Sequence, residues 1–171
     1  MKPIFLLAIL LWLTARTSAQ SHEQRLQQLH LELPPVPEAI GSYVDVVQVG
    51  KLLYLSGKGP RKASGEYISG KLGKDLSTEQ GYEAASLTAI NQIAVLKQKL
   101  GDLDKVKRIV KVNGYVNSDN QFYEQPKVIN GFSDLLIKVF GESGQHARTA
   151  LGTNTLPLNM AVEVEMIVEL K

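Results

Sequence analysis

An arginine and a glutamate on two successive strand-like segments are the side chains in this 171-residue chain best suited to chemistry. Arg148 opens the segment 148–152 among small neighbours, Ala147, Thr149 and Ala150. A guanidinium placed there is either half of a buried structural ion pair or a forked grip on a planar anion. Glu163 stands in the next segment, where Val162, Val164, Met166, Val168 and Leu170 alternate with Glu163, Glu165, Ile167 and Glu169. That is the period of a strand with one buried face. If the two segments form a hairpin, Glu163 approaches Arg148. At the level of pattern, ion pair and anion site both remain open.

Other catalytic constellations are missing. The chain has no Cys, which removes thiolate nucleophiles, disulfides, thiolate metal sites and a lipid-modified cysteine anchor. His22, His30 and His146 show no metal-ligand spacing, so neither a metal nor a cofactor is expected. Gly57-Lys58-Gly59 is glycine-rich but lacks the length and the Lys-Ser/Thr ending of a phosphate-binding loop.

The elements that must position Arg148 and Glu163 follow from periodicity. Leu26, Leu29 and Leu33 predict an amphipathic helix over 22–33, ended by Pro34, Pro35 and Pro37. Strand-like runs at 44–49 and 52–56 flank Gly50-Lys51 and predict a β-hairpin. A polar, glycine-rich loop covers 61–75. Ser77 with Gln80 makes a capping-box pattern for a helix whose natural stop is Gly101. A strand is predicted over 106–116. Val128, Phe132, Leu135, Leu136 and Val139 then mark a second amphipathic helix, stopped by Gly141. The order β-β-α-β-α-β-β predicts an α+β two-layer sandwich, a mixed β-sheet with both helices packed on one face. Val44, Val46 and Val47 leave the other face partly apolar, as suits burial by a second subunit.

The N-terminus bears on the compartment. Lys2, the apolar run 4–13 and the small residues 14–19 follow the order of a secretory signal, with cleavage expected after Ala19. The run is too short to be a spanning helix, which needs about 20 apolar residues. Residues 1–19 are therefore expected to be a signal peptide, 20–37 a helix with a Pro-rich connector, and 38–171 the domain. The protein is expected to be exported, periplasmic or secreted, with no membrane association after cleavage. Lys2 and Arg16 leave with the signal and no acid does, so 17 basic face 17 acidic residues. A formally neutral protein offers little to a phosphate backbone, and no nucleic-acid partner is expected.

Gly41-Ser42-Tyr43, Leu55-Ser56-Gly57, Val128-Ile129-Asn130, Ala147-Arg148-Thr149, Leu156-Pro157 and Val162-Glu163-Val164-Glu165 occur in that order over roughly residues 38–171. Together they resemble the successive signatures of the RidA (YjgF) family, and the segments 70–76, 101–108 and His146-Ala147-Arg148 resemble a less-studied branch carrying endoribonuclease or chorismate-mutase-like labels. The resemblance implies a chorismate-mutase-like fold, a homotrimer with sites in the clefts between subunits, and hydrolysis of reactive enamines and imines of 2-oxo acids to the oxo acid and ammonia. It also implies roles. Arg148 would hold a small-molecule carboxylate and Glu163 would position or activate water. Gly57 would offer its backbone, Tyr43 would line or close the pocket, and Asn130 would support it. The chain departs from the family pattern at Ala150, often Cys, at Lys58, usually Gln, and by one extra residue between Asn130 and Arg148. A non-catalytic carboxylate-binding protein is the alternative, and it would tolerate Glu163→Gln. Endoribonuclease activity fits the neutral charge and the lack of a His pair poorly.

Overall fold

The computed structural model of the protein describes residues 20–36 and 41–171, so the expected signal peptide 1–19 and the stretch 37–40 lie outside the described residues. The chain runs through α1 (His22–Gln28), β1 (Val46–Val49), β2 (Leu52–Lys58), α2 (Thr78–Leu100), β3 (Val106–Asn117), α3 (Gln125–Phe140), β4 (Ala147–Thr153) and β5 (Val162–Leu170). The five strands form one mixed sheet in the order β1-β2-β5-β3-β4, with α2 and α3 against one side.

Local chemistry accounts for most element ends. Gly50, at φ 57°, takes the left-handed position in the two-residue turn between β1 and β2. Ser77 and Gln80 form the reciprocal capping box, at 3.2 and 2.8 Å, and Gly101 closes α2 at φ 72°. The first helix is shorter than its leucine spacing predicts. His30 turns left-handed at φ 50°, its amide bonds Gln27 O and the Leu31 amide bonds Leu26 O. That pair of bonds is a Schellman stop, reached before the prolines. Leu31 and Leu33 continue as non-helical chain and still pack on the core.

The core lies between helices and sheet. Leu53, Leu55, Val112, Val116, Val164 and Met166 point from the sheet toward Ala85, Ala89, Ile93 and Leu96 of α2 and Phe132 and Leu136 of α3, all buried. The opposite side carries exposed Val47, Val49, Tyr54 and Leu151. Val46 pairs with buried Leu55 and turns to the helix side, while Val44 precedes β1 and is exposed.

The condition under which Glu163 would approach Arg148 within one chain is not met. β4 and β5 form no hairpin: β4 pairs parallel with β3 at the sheet edge, and β5 inserts between β2 and β3. The chain reaches β4 through α3, a crossover that delivers a parallel strand. The alternating β5, whose Val162, Val164, Met166 and Val168 are buried, takes a central place instead.

The helices touch at Gly131. A Cβ there would lie 2.0 Å from the carbonyl oxygen of Tyr82, so only glycine lets α3 approach α2 this closely. Gly131→Ala should therefore cost about 1–3 kcal/mol by forcing the helices apart, read as a lower urea midpoint with an unchanged slope.

Candidate functional site

Arg148 shares its register position with Val112, and Val112 pairs with buried Met166, so its side chain leaves the sheet on the helix side. It reaches α3. Nη1 donates to Asn130 Oδ1 at 2.9 Å and to Ser133 Oγ at 3.0 Å, while Nη2 points at the Pro126 carbonyl at 3.4 Å. Behind them stands His146, whose Nδ1 lies 2.6 Å from Gly144 O and whose Nε2 lies 3.0 Å from Ser133 Oγ. A carbonyl can only accept, which puts the ring proton on Nδ1. Nε2 then accepts from the Ser133 hydroxyl, whose oxygen is left to face the guanidinium. Burial holds His146 below its ordinary pKa, assisted by the nearby Arg148 cation. Among the described residues no carboxylate lies at ion-pair distance from Arg148. All its named partners are neutral.

Glu163 occupies different ground. It pairs with Tyr115, three residues from Val112 along β3, and so faces the open side of the sheet. Its carboxylate lies over Gly57, where a Cβ would stand 2.1 Å from Oε1. Any other residue at 57 would displace the acid. Burial raises the pKa of Glu163, and the neighbouring Glu165 carboxylate raises it further. Glu165 is held by Asn113 Nδ2 at 2.9 Å.

Glu163, Gly57 and Tyr43 line one cavity of about 410 Å³, a size typical of small-molecule sites. The loop 59–70 makes one wall. It is tied down by bonds from Ile68 N to Pro60 O, Ala161 N to Ile68 O and Gly70 N to Asn159 O. Ser56 and Lys58 also line it. Lys58 Nζ meets Asp45 at 2.6 Å, so the charge that replaces the family's usual Gln is internally neutralised. Asn91 spends its amide hydrogens on Gly59 O and Arg61 O, at 3.0 and 3.1 Å.

The five residues singled out from sequence thus fall into two groups. Tyr43, Gly57 and Glu163 meet in the cavity; Arg148 and Asn130 meet on the other side of the sheet. Within one chain, Arg148 and Glu163 do not converge. Sequence reasoning missed Ser133 and His146. The signal was present: Ser133 follows Asn130 by three positions on a helix, and His146 precedes Arg148 by two on the chain.

Folding favours neutral His146, because its folded pKa lies below the ordinary 6.5. The stability it contributes is complete above that value and is lost as pH falls through the lowered one. Thermal midpoints should drop on acidification below about pH 6.5, and His146→Gln should flatten that segment of the profile.

Residues 23–170 match the family described as "YjgF/chorismate mutase-like, putative endoribonuclease". Protein TCP17 of Trypanosoma cruzi is 44% identical over 146 residues, covering 85% of this chain and 91% of that protein. A 2-iminobutanoate/2-iminopropanoate deaminase of Dermatophagoides farinae is 31% identical over 139 residues, covering 81% and 93%. The crystal structure of "a putative endoribonuclease" from Shewanella oneidensis MR-1 superposes with a TM-score of 0.85 at 38% identity, covering 88% of this chain and all of the other. The family match over residues 23–170 and the relatives at 44% and 31% identity have one meaning: the chain belongs to the YjgF/chorismate mutase-like family, the RidA family.

Proposed function

We propose that the protein hydrolyses 2-imino acids, and the enamines that tautomerise to them, to 2-oxo acids and ammonia, in clefts between copies of a homotrimer. Each cleft takes Arg148 and Asn130 from one copy and Glu163, Gly57 and Tyr43 from its neighbour. One observation carries this reading. The sheet holds a cation with only neutral partners on one side and a partly buried anion on the other, with no cation at ion-pair distance among the described residues. Stacking copies supplies each charge with its complement through a substrate, and the exposed Val47, Tyr54 and Leu151 give the open face a reason to be covered. The similarity to an imine deaminase across most of both chains supports the chemistry.

In the reaction, the Arg148 fork binds the substrate carboxylate. The Glu163 carboxylate holds a water against C2 of the protonated imine and takes one of its protons as the C–O bond forms. The resulting carbinolamine receives that proton on nitrogen, the C–N bond breaks and ammonia departs. The remaining hydroxyl proton returns to solvent through Glu163, leaving the 2-oxo acid. A carboxylate with an elevated pKa suits both halves, since it takes a proton more readily than an ordinary carboxylate and can return it.

The test is ammonia release from an imino acid generated in situ by an amino-acid oxidase. Glu163→Gln should lower kcat/KM by roughly 10²–10⁴-fold, the usual worth of a positioned base, and Arg148→Ala should raise KM as well. Rates indistinguishable from spontaneous hydrolysis in wild type would reject the activity. Glu163 must be ionised to act, so the wild-type rate should rise with pH along an acid limb above the ordinary carboxylate value of 4.5.

A further inference from the structure

The cavity beside Glu163 is far larger than a small imine needs. At about 410 Å³ it has room for roughly a dozen waters, whereas the imine of alanine fills it with a single methyl beyond the reacting carbons. Its polar groups are the strand residues Ser56, Lys58 and Glu163, with Arg61 and Tyr67 of the loop 59–70, Tyr43 and Asn91. The rest of the lining is hydrocarbon, and it makes up most of the surface. Ala94 and Val95 of α2, only 4% and 3% exposed, form part of the lining. Pro34 and Val36, from the chain that follows the N-terminal helix, form another side, and Pro157 with Met160 a third. Asn91, the polar residue on the α2 side, has both amide hydrogens engaged by carbonyls and offers no donor to a ligand. A chamber lined mostly by hydrocarbon, with its charged groups confined to the β2 and β5 strands and the loop 59–70, offers more apolar wall than a small hydrophilic molecule can cover.

We infer that this chamber receives a bulky apolar side chain, so that the preferred substrates are 2-imino acids derived from branched-chain or aromatic amino acids. The inference rests on the deaminase reading and adds to it the substrate's side chain. One buried methylene is worth roughly fourfold in binding. The three extra carbons of an isobutyl group over a methyl could therefore yield up to roughly sixtyfold if fully buried.

The experiment compares imino acids made in situ by a D-amino-acid oxidase from D-leucine and D-alanine. It also measures, by calorimetry, the binding of the product acids 4-methyl-2-oxopentanoate and pyruvate. Wild type should favour the leucine-derived imine by at least about tenfold in kcat/KM. Ala94→Leu, which fills the chamber, should cut that ratio at least severalfold; Val36→Ala, which cannot overpack, should lower it too. If both imines are hydrolysed at similar kcat/KM and neither variant moves the ratio, the chamber inference is overturned and the deaminase reading survives. If neither imine is accelerated but 4-methyl-2-oxopentanoate binds more tightly than pyruvate, with the preference lost in Ala94→Leu, the chamber stands and the deaminase reading falls. If there is neither hydrolysis nor selective binding, both fall.

Discussion

Successive side chains of a β-strand point to opposite faces, and β5 turns that alternation into both a core and a site. Val162, Val164, Met166 and Val168 go beneath the helices, while Glu163 and Glu165 go to the open face. β3 pairs with both β5 and β4, so its Val112 sets Arg148 on the helix side and its Tyr115 sets Glu163 on the other. A one-residue slip of β5 would bring four buried apolar side chains out, at about 1.5–3 kcal/mol each. That loss rivals the whole stability of a small domain, about 5–15 kcal/mol. The register is therefore fixed by packing, and the separation of the two charged residues is fixed with it.

Each charged group is then prepared by its own surroundings. Arg148 is oriented by Asn130, Ser133 and a backbone carbonyl, which hold the fork without neutralising it. His146 completes this set by accepting the Ser133 hydroxyl, a role available only to the neutral ring that its burial favours. Glu163 is prepared in the opposite sense. Burial and a neighbouring carboxylate hold it nearer to protonation, while the bare Cα of Gly57 leaves the space it occupies.

Local patterns carried most of the fold into view. The capping box at Ser77, the turn at Gly50, the helical stripe from Val128 to Val139 and the alternation of β5 each arise from neighbours in sequence, and each appears in the structure. The gaps concern what lies far apart. Whether the last two strands pair as a hairpin stays open in the sequence, because nothing within either strand encodes that α3 carries β4 to the outer edge of β3. The first helix was drawn too long because leucine spacing ignores the left-handed His30. The site followed the same division: the residue types of Tyr43, Gly57, Asn130, Arg148 and Glu163 were legible from motifs, but their division between two faces of the sheet needed the register. Ser133 and His146 stand behind Arg148, and only their spacing from Asn130 and Arg148 points to them in the sequence.

The claim that one site draws on two copies is best tested by mixing inactive variants. Arg148→Ala and Glu163→Gln would be denatured together in equal amounts and refolded, and imine hydrolysis would be compared with each variant refolded alone. In a trimer with shared sites, every mixed assembly contains one cleft with both side chains intact, and activity should return to about a quarter of wild type. Mixed trimers, demonstrated by a tag on one variant, that stay as inactive as either parent would contradict the shared site.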